Sequence, residues 1–162
     1  MAGDGAVGKT SIVKRYVSQT FTQDYLSTLG VQVSSKDFTF DDGKMVKLLI
    51  WDVAGQYVFA SVRSMYYRDA TVALIVFDVT NRDTFDNVGK WVREARDVEP
   101  AINILLVGNK IDLTLEREIP AKEAEALVAR LNLNGYIETS ARTGQGVNEL
   151  FNKVLEICLK LY

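Results

Sequence analysis

Near the start of the chain, Gly3-Asp4-Gly5-Ala6-Val7-Gly8-Lys9-Thr10, followed by Ser11, has the spacing G-x-x-x-x-G-K-[ST]. That pattern makes a phosphate-cradling loop. Its glycines let the backbone approach a polyphosphate and aim successive N–H groups at it. The helix that follows turns its positive end toward the same anion. Lys9 can reach the β- and γ-phosphates, and the Thr10 hydroxyl can ligate Mg²⁺. Such a loop normally follows a buried strand, and here only Met1 and Ala2 precede it.

Further chemistry lies downstream. Asp52-Val53-Ala54-Gly55-Gln56 follows the apolar run Leu48-Leu49-Ile50-Trp51. A carboxylate at a strand end can hold Mg²⁺ through water, because Mg²⁺ dehydrates reluctantly. Gly55 lets an N–H approach a terminal phosphate, and Gln56 can orient an attacking water. Asn109-Lys110-Ile111-Asp112 follows another apolar run. Guanine presents two donors side by side, N1–H and N2–H₂. One carboxylate, Asp112, can accept both, which adenine cannot satisfy. Ser140-Ala141-Arg142 follows the last strand, where a small residue admits a backbone N–H to a base carbonyl. Thr28, in the loop after the first helix, can offer Mg²⁺ a second hydroxyl.

These residues need a scaffold, and the chain supplies one. Its 162 residues fit one domain, and 48% apolar with 25% charged residues is ordinary for a globular protein. A net charge of −2 with no Lys/Arg block argues against nucleic acid as a partner. No apolar run reaches transmembrane length, and no signal peptide is visible. The lone Cys158 excludes an internal disulfide and fits a reducing, cytoplasmic setting. It lies on the apolar stripe Val147, Leu150, Phe151, Val154, Cys158, Leu161 and reads as a buried helical thiol. The chain has no histidine, which excludes Ser–His–Asp and Cys–His mechanisms but not phosphoryl transfer.

The periodicity predicts a helix over 9–18 and strands over 31–40 and 44–53, joined by Asp41-Asp42-Gly43 as a hairpin. Strands follow at 71–78, 102–107 and 136–139. Helices are predicted from an Asp83 cap through Arg96, from Pro120 through Leu131, and over 146–161. Strands and helices alternate after the hairpin, so the fold is α/β: a mostly parallel sheet with helices on both faces. In such sheets ligands bind beyond the carboxyl ends of the strands, where these motifs fall.

Taken together, GDGAVGKT, Thr28-Leu29-Gly30, WDVAGQ, NKID and ETSAR resemble the Ras superfamily of small GTPases, across essentially the whole chain. Trp51 and Tyr66-Tyr67-Arg68-Asp69-Ala70 make it most similar to the Rab branch. The resemblance implies GTP or GDP with Mg²⁺ as ligands. Gly3, Asp4, Gly5, Ala6, Val7, Gly8, Lys9, Thr10 and Ser11 would line the phosphates. Thr10, Thr28 and Asp52 would hold the metal, Asp52 through water. Asn109, Lys110 and Asp112 would bind guanine, helped by Ser140, Ala141 and Arg142, with Phe21 against the base edge. Lys9, Thr28, Gly55 and Gln56 would carry hydrolysis. Residues 20–31 and 54–69 would be switch segments read by an exchange factor, an activating protein and effectors. No arginine is evident in cis, so hydrolysis is expected to be slow without an activating protein.

The chain departs from that pattern in three ways. Tyr57 and Val58 replace a charged pair after Gln56, which makes Tyr57 a candidate partner contact. The sequence ends at Tyr162 with no C-a-a-X box or terminal cysteine pair, so no membrane anchor is expected from it. The central first strand of that pattern is missing from this sequence. Losing about five buried side chains at about 1.5–3 kcal/mol each predicts either a marginal fold or a natural protein that starts upstream of Met1, truncated here. A degenerate domain serving as a binding module without turnover therefore stays open beside the switch. A P-loop kinase or ATPase is disfavoured by Asn109 and Asp112.

Overall fold

The computed structural model describes residues 1–21, 28, 30–40, 43, 45–54 and 65–160. Its strands are β1 (Val31–Thr39), β2 (Met45–Val53), β3 (Val72–Asp78), β4 (Asn103–Asn109) and β5 (Gly135–Thr139). Its helices are α1 (Lys9–Ser18), α2 (Arg82–Asp86), α3 (Val88–Val98), α4 (Ala121–Leu131) and α5 (Val147–Leu159).

Strands β3, β4 and β5 form a parallel sheet in that order, with Val76 opposite Val107 and Val107 opposite Ile137. Strands β1 and β2 form a separate antiparallel hairpin, from Val31 opposite Val53 to Thr39 opposite Met45. Helices cover both faces of the parallel sheet, so its strands read as unbroken apolar runs. Ile75, Phe77, Ile104 and Leu106 face one core, with Trp91, Val92 and Leu127. Leu74, Val76, Leu105 and Val107 face another, with Ile12, Val13, Leu150 and Phe151. Tyr16 of α1 stacks on Phe151 of α5 with centroids 3.8 Å apart, fixing the helix that carries the phosphate loop.

Met1 and Ala2 lie between the hairpin and the parallel sheet. Ala2 bridges Ile75 in parallel, donating to the Leu74 carbonyl at 2.8 Å and accepting from Val76 N–H at 2.9 Å. On the other side the Met1 amine donates to the Trp51 carbonyl at 2.6 Å, and Val53 N–H donates to the Met1 carbonyl at 3.3 Å. This short bridge ties the hairpin to the parallel sheet and leads directly into the phosphate loop.

Four expectations need correction. The helix after β3 is capped by Asn81, not Asp83: the Asn81 side chain accepts from Asp83 N–H at 3.0 Å and Thr84 N–H at 3.4 Å. The single helix expected to run to Arg96 is two, joined at Asn87. Cys158 is half-buried, lining a cavity beside Val154 and Phe151, and burial raises its thiol pKa. Pro120 stands at the N-cap, one residue before the first helical turn.

Candidate functional site

The phosphate loop runs from the Met1–Ala2 bridge into α1, and two of its glycines are required by space. A Cβ on Gly3, whose φ is 135°, would lie 2.2 Å from the Val76 carbonyl oxygen. A Cβ on Gly8, whose φ is 98°, would lie 2.2 Å from Asn109 Nδ2. Helix α1 begins behind Gly8 with no side-chain cap and no acidic residue in its first turn. Its first N–H groups and positive end are thus left to an anion. Lys9 is buried, and its ammonium donates to the carbonyls of Gly3 at 2.8 Å and Asp4 at 2.7 Å. The loop wraps around its own lysine. Gly5 and Ala6 are exposed at the crest, while Val7 packs inward. Ser11 follows Thr10 in the first turn of α1 and is partly exposed.

Three predicted metal-site residues meet beside the loop. Thr10 Oγ1 lies 2.8 Å from Thr28 Oγ1 and donates to Asp52 Oδ2. Asp52 is 2% exposed near the end of β2, and its Oδ1 is buried with no hydrogen-bond partner. An acceptor buried without a partner is costly. Two hydroxyls beside such a carboxylate suit a hard oxygen-seeking cation that keeps waters and phosphate oxygens as its other ligands. Among the described residues no cluster of three acidic or cysteine side chains offers a metal a complete protein cage. The donor set therefore fits Mg²⁺ shared with a phosphate.

The loops predicted to hold a base lie at the ends of β4 and β5. Asn109 is 2% exposed and acts as a brace. Its Nδ2 donates to the Val7 carbonyl at 2.9 Å, while its Oδ1 accepts from Thr139 Oγ1 at 3.1 Å and Ala141 N–H at 3.3 Å. Lys110, with φ 71°, turns its ammonium onto Asp78 Oδ2 at 2.5 Å. Asp112 Oδ1 accepts from the buried Ser140 hydroxyl at 2.6 Å, and its Oδ2 lies 3.9 Å from the Arg142 guanidinium. These two contacts hold the carboxylate in place, and its remaining lone pairs suit it to accept from paired donors. Phe21 stands exposed just beyond α1.

The structure thus brings Gly3 to Ser11, Thr28, Asp52, Asn109 to Asp112 and Ser140 to Arg142 to one end of the sheets. Gly55, Gln56, Tyr57 and Val58 lie outside the described residues, as do 22–27 and 29 of the first switch segment.

Sequence reasoning missed several supports. Asp78 ends β3, accepts from both Thr80 N–H and Thr80 Oγ1, and holds Lys110. Arg15, one turn behind the phosphate loop, donates to the carbonyls of Ala141 at 2.7 Å and Arg142 at 2.5 Å. Asp4, in the loop itself, accepts from Asn87 Nδ2 at 2.8 Å and from the Trp91 indole at 2.7 Å. Arg117 pairs with Glu138, which also accepts from Tyr136 at 2.8 Å beneath Gly108. Burial and that carboxylate push the Tyr136 phenol pKa up. Only Asp78 had a legible signal: a lone carboxylate ending an apolar run.

Comparison with known proteins agrees with this geometry. The sequence model of the Ras family matches residues 1–160. The chain is 42% identical over 156 residues to the GTP-binding protein ypt3 of Schizosaccharomyces pombe, covering 96% of this chain and 72% of that protein. It is 42% identical over 154 residues to the Ras-related protein Rab-11C of Dictyostelium discoideum, covering 94% and 68%. It is 38% identical over 161 residues to Rab-2B of the same organism, covering 99% and 79%.

Proposed function

The chain belongs to the Ras family as a Rab-like small GTPase, and from that premise we propose that it is a two-state switch. It would hydrolyse GTP slowly and present residues 20–31 and 54–69 to regulators and effectors. One observation carries the reading: the hydroxyls of Thr10 and Thr28 and the carboxylate of Asp52 are in contact, and a buried Asp52 oxygen waits for a partner. These groups come from three separate segments. A ligand held by all three reports its presence to each, and Thr28 lies in the first switch segment.

Within this reading each residue has a defined task. The open first turn of α1 and the Lys9 ammonium bind phosphate charge. Thr10, Thr28 and Asp52 would hold Mg²⁺, which when bound offsets charge on the phosphates. Asp112 accepts from the guanine edge, while Asn109 and Ser140 keep the base loops in place. Gln56 orients the attacking water. With no cis arginine assigned, an activating protein would raise the rate by roughly 10³–10⁵. The Rab and Ypt names of the relatives support a role in membrane trafficking, with the chain working in the cytoplasm or at membrane surfaces.

A second reading is a binding module without turnover, which would use the same nucleotide contacts but no action by Gln56. Phosphate release from GTP and from ATP, with Mg²⁺, separates the two in wild type and Gln56→Leu. GTP-selective turnover that falls at least tenfold in Gln56→Leu supports the switch. GTP binding without turnover supports the module, and a preference for ATP sinks both.

A further inference from the structure

The loop 140–145, between β5 and α5, spends nearly all of its backbone N–H groups on the protein. Ser140 N–H donates to the Gln145 carbonyl at 2.9 Å, and Gly144 N–H to the Ser140 carbonyl at 2.8 Å. Ala141 N–H donates to Asn109 Oδ1, Thr143 N–H to Ser140 Oγ at 3.0 Å and Gln145 N–H to Thr143 Oγ1 at 3.3 Å. Within this loop only the N–H of Arg142 has no acceptor among the described residues. Its direction is set from α1. Arg15 is half-buried, and one edge of its guanidinium, Nε and Nη2, donates to two successive carbonyls, Ala141 at 2.7 Å and Arg142 at 2.5 Å. Its Nη1 donates to the Gln19 carbonyl at the end of α1 at 3.1 Å. A planar fork suits such a pair of neighbouring acceptors. No peptide among the described residues is cis, so a carbonyl drawn toward Arg15 turns the N–H of the next residue the opposite way. The second of the two peptides shows what lies on that side. Its carbonyl, from Arg142, faces Arg15, and its Thr143 N–H meets Ser140 Oγ, which itself donates to Asp112 Oδ1. The first peptide, with the Ala141 carbonyl on Arg15, likewise turns the Arg142 N–H away from α1 and toward the side of Asp112.

We infer that Arg15 is a positioning residue for base selection: its fork on the Ala141 and Arg142 carbonyls presents the Arg142 N–H to the carbonyl oxygen of a base whose donor pair is held by Asp112. The inference rests on the guanine reading proposed for Asp112. The guanine edge runs donor, donor, acceptor, and a carboxylate answers only the two donors. A backbone N–H answers the acceptor. Adenine carries an amino group where guanine has that oxygen, so the same N–H would face a donor and stay unpaired. The cation on the carbonyl end of the peptide also polarises it, which makes its N–H a stronger donor.

The test measures the affinity of the full chain, with Mg²⁺, for the diphosphates of guanosine, adenosine, inosine and 6-thioguanosine, in wild type, Arg15→Ala and Arg15→Lys. The inosine compound lacks the N2 donors and so reports on Asp112. The 6-thio compound keeps both donors and puts sulfur, a weak acceptor, in place of the oxygen. Arg15→Lys keeps a cation near the end of α1 without the fork, and thermal melts check that each variant is folded. The expected result is that the preference for guanosine over 6-thioguanosine diphosphate shrinks by about threefold or more in both variants. The preference over inosine diphosphate should stay within about twofold of wild type. A common loss on every nucleotide, with both preferences unchanged, would make Arg15 a prop of the fold and overturn the inference. An unchanged 6-thio preference in Arg15→Lys would overturn it even if Arg15→Ala does not fold. A wild type that binds adenosine diphosphate as tightly as guanosine diphosphate would instead overturn the guanine reading, and the inference with it.

Discussion

At the residue scale the site hangs on side chains that need touch no ligand. Asn109 spends its amide on Val7, Thr139 and Ala141. In Asn109→Ala these three groups lose their partner, each buried loss being worth about 1–3 kcal/mol. Guanine-nucleotide affinity is expected to fall at least a hundredfold in a fluorescent-nucleotide competition assay. Trp91→Phe is a gentler change that keeps the ring and removes the donor to Asp4. The expected loss is about 1 kcal/mol in a urea melt, with nucleotide affinity falling severalfold. Unchanged affinity would show that Asp4 does not need its anchor. The glycines, Lys9, Asp52 and Asp112 could be singled out in the sequence because the chemistry proposed for them demands a residue type at a fixed spacing. Asn87, Trp91 and Arg15 were not. Their partners lie 83, 87 and 126 positions away, and nothing local marks an asparagine, tryptophan or arginine as a prop.

At the scale of elements, most of the fold could be read from periodicity. The parallel strands are covered on both faces and so appear as unbroken apolar runs, and the amphipathic helices show one apolar stripe each. Their ends were harder to read. Asn81 and Asp83 are both good caps, and only the backbone path chooses between them. The phosphate loop is the element whose sequence and geometry agree most closely, since Gly8 faces both a left-handed φ and the Asn109 amide. Gly8→Ala must therefore displace Asn109, the shared brace, as well as strain the backbone. The expected outcome is a fall in nucleotide affinity comparable with that of Asn109→Ala. The double variant should lose little more than either single one, because both act through one contact. Additive losses in the same assay would separate the two roles.

For the whole molecule, the joint between the hairpin and the parallel sheet is the critical place. It includes the Met1 amine, whose pKa is lowered to about 6 from 8.0, chiefly by burial and by Lys9, against the opposing pull of Asp52. The unfolded amine takes up its proton near pH 8, and the folded one only near pH 6. Between these values the unfolded chain binds more protons, so stability is present above pH 8 and is lost as pH falls through 6. With the amine partly open to solvent, the difference is expected to be on the order of 1 kcal/mol. Urea melts at pH 5.5 and pH 8.5 check it, and acetylating the Met1 amine should abolish that part of the pH dependence.

The Lys9 ammonium, closed onto the carbonyls of Gly3 and Asp4, sets the timing of any ligand the loop holds. The ring of backbone around it keeps its shape from within, so little ordering remains to be done when an anion arrives. Capture should run near the rate of encounter, and differences among ligands should appear in how long each one stays. For the switch proposed above, the lifetime of the bound state, rather than the speed of loading, is then the quantity a regulator would have to change.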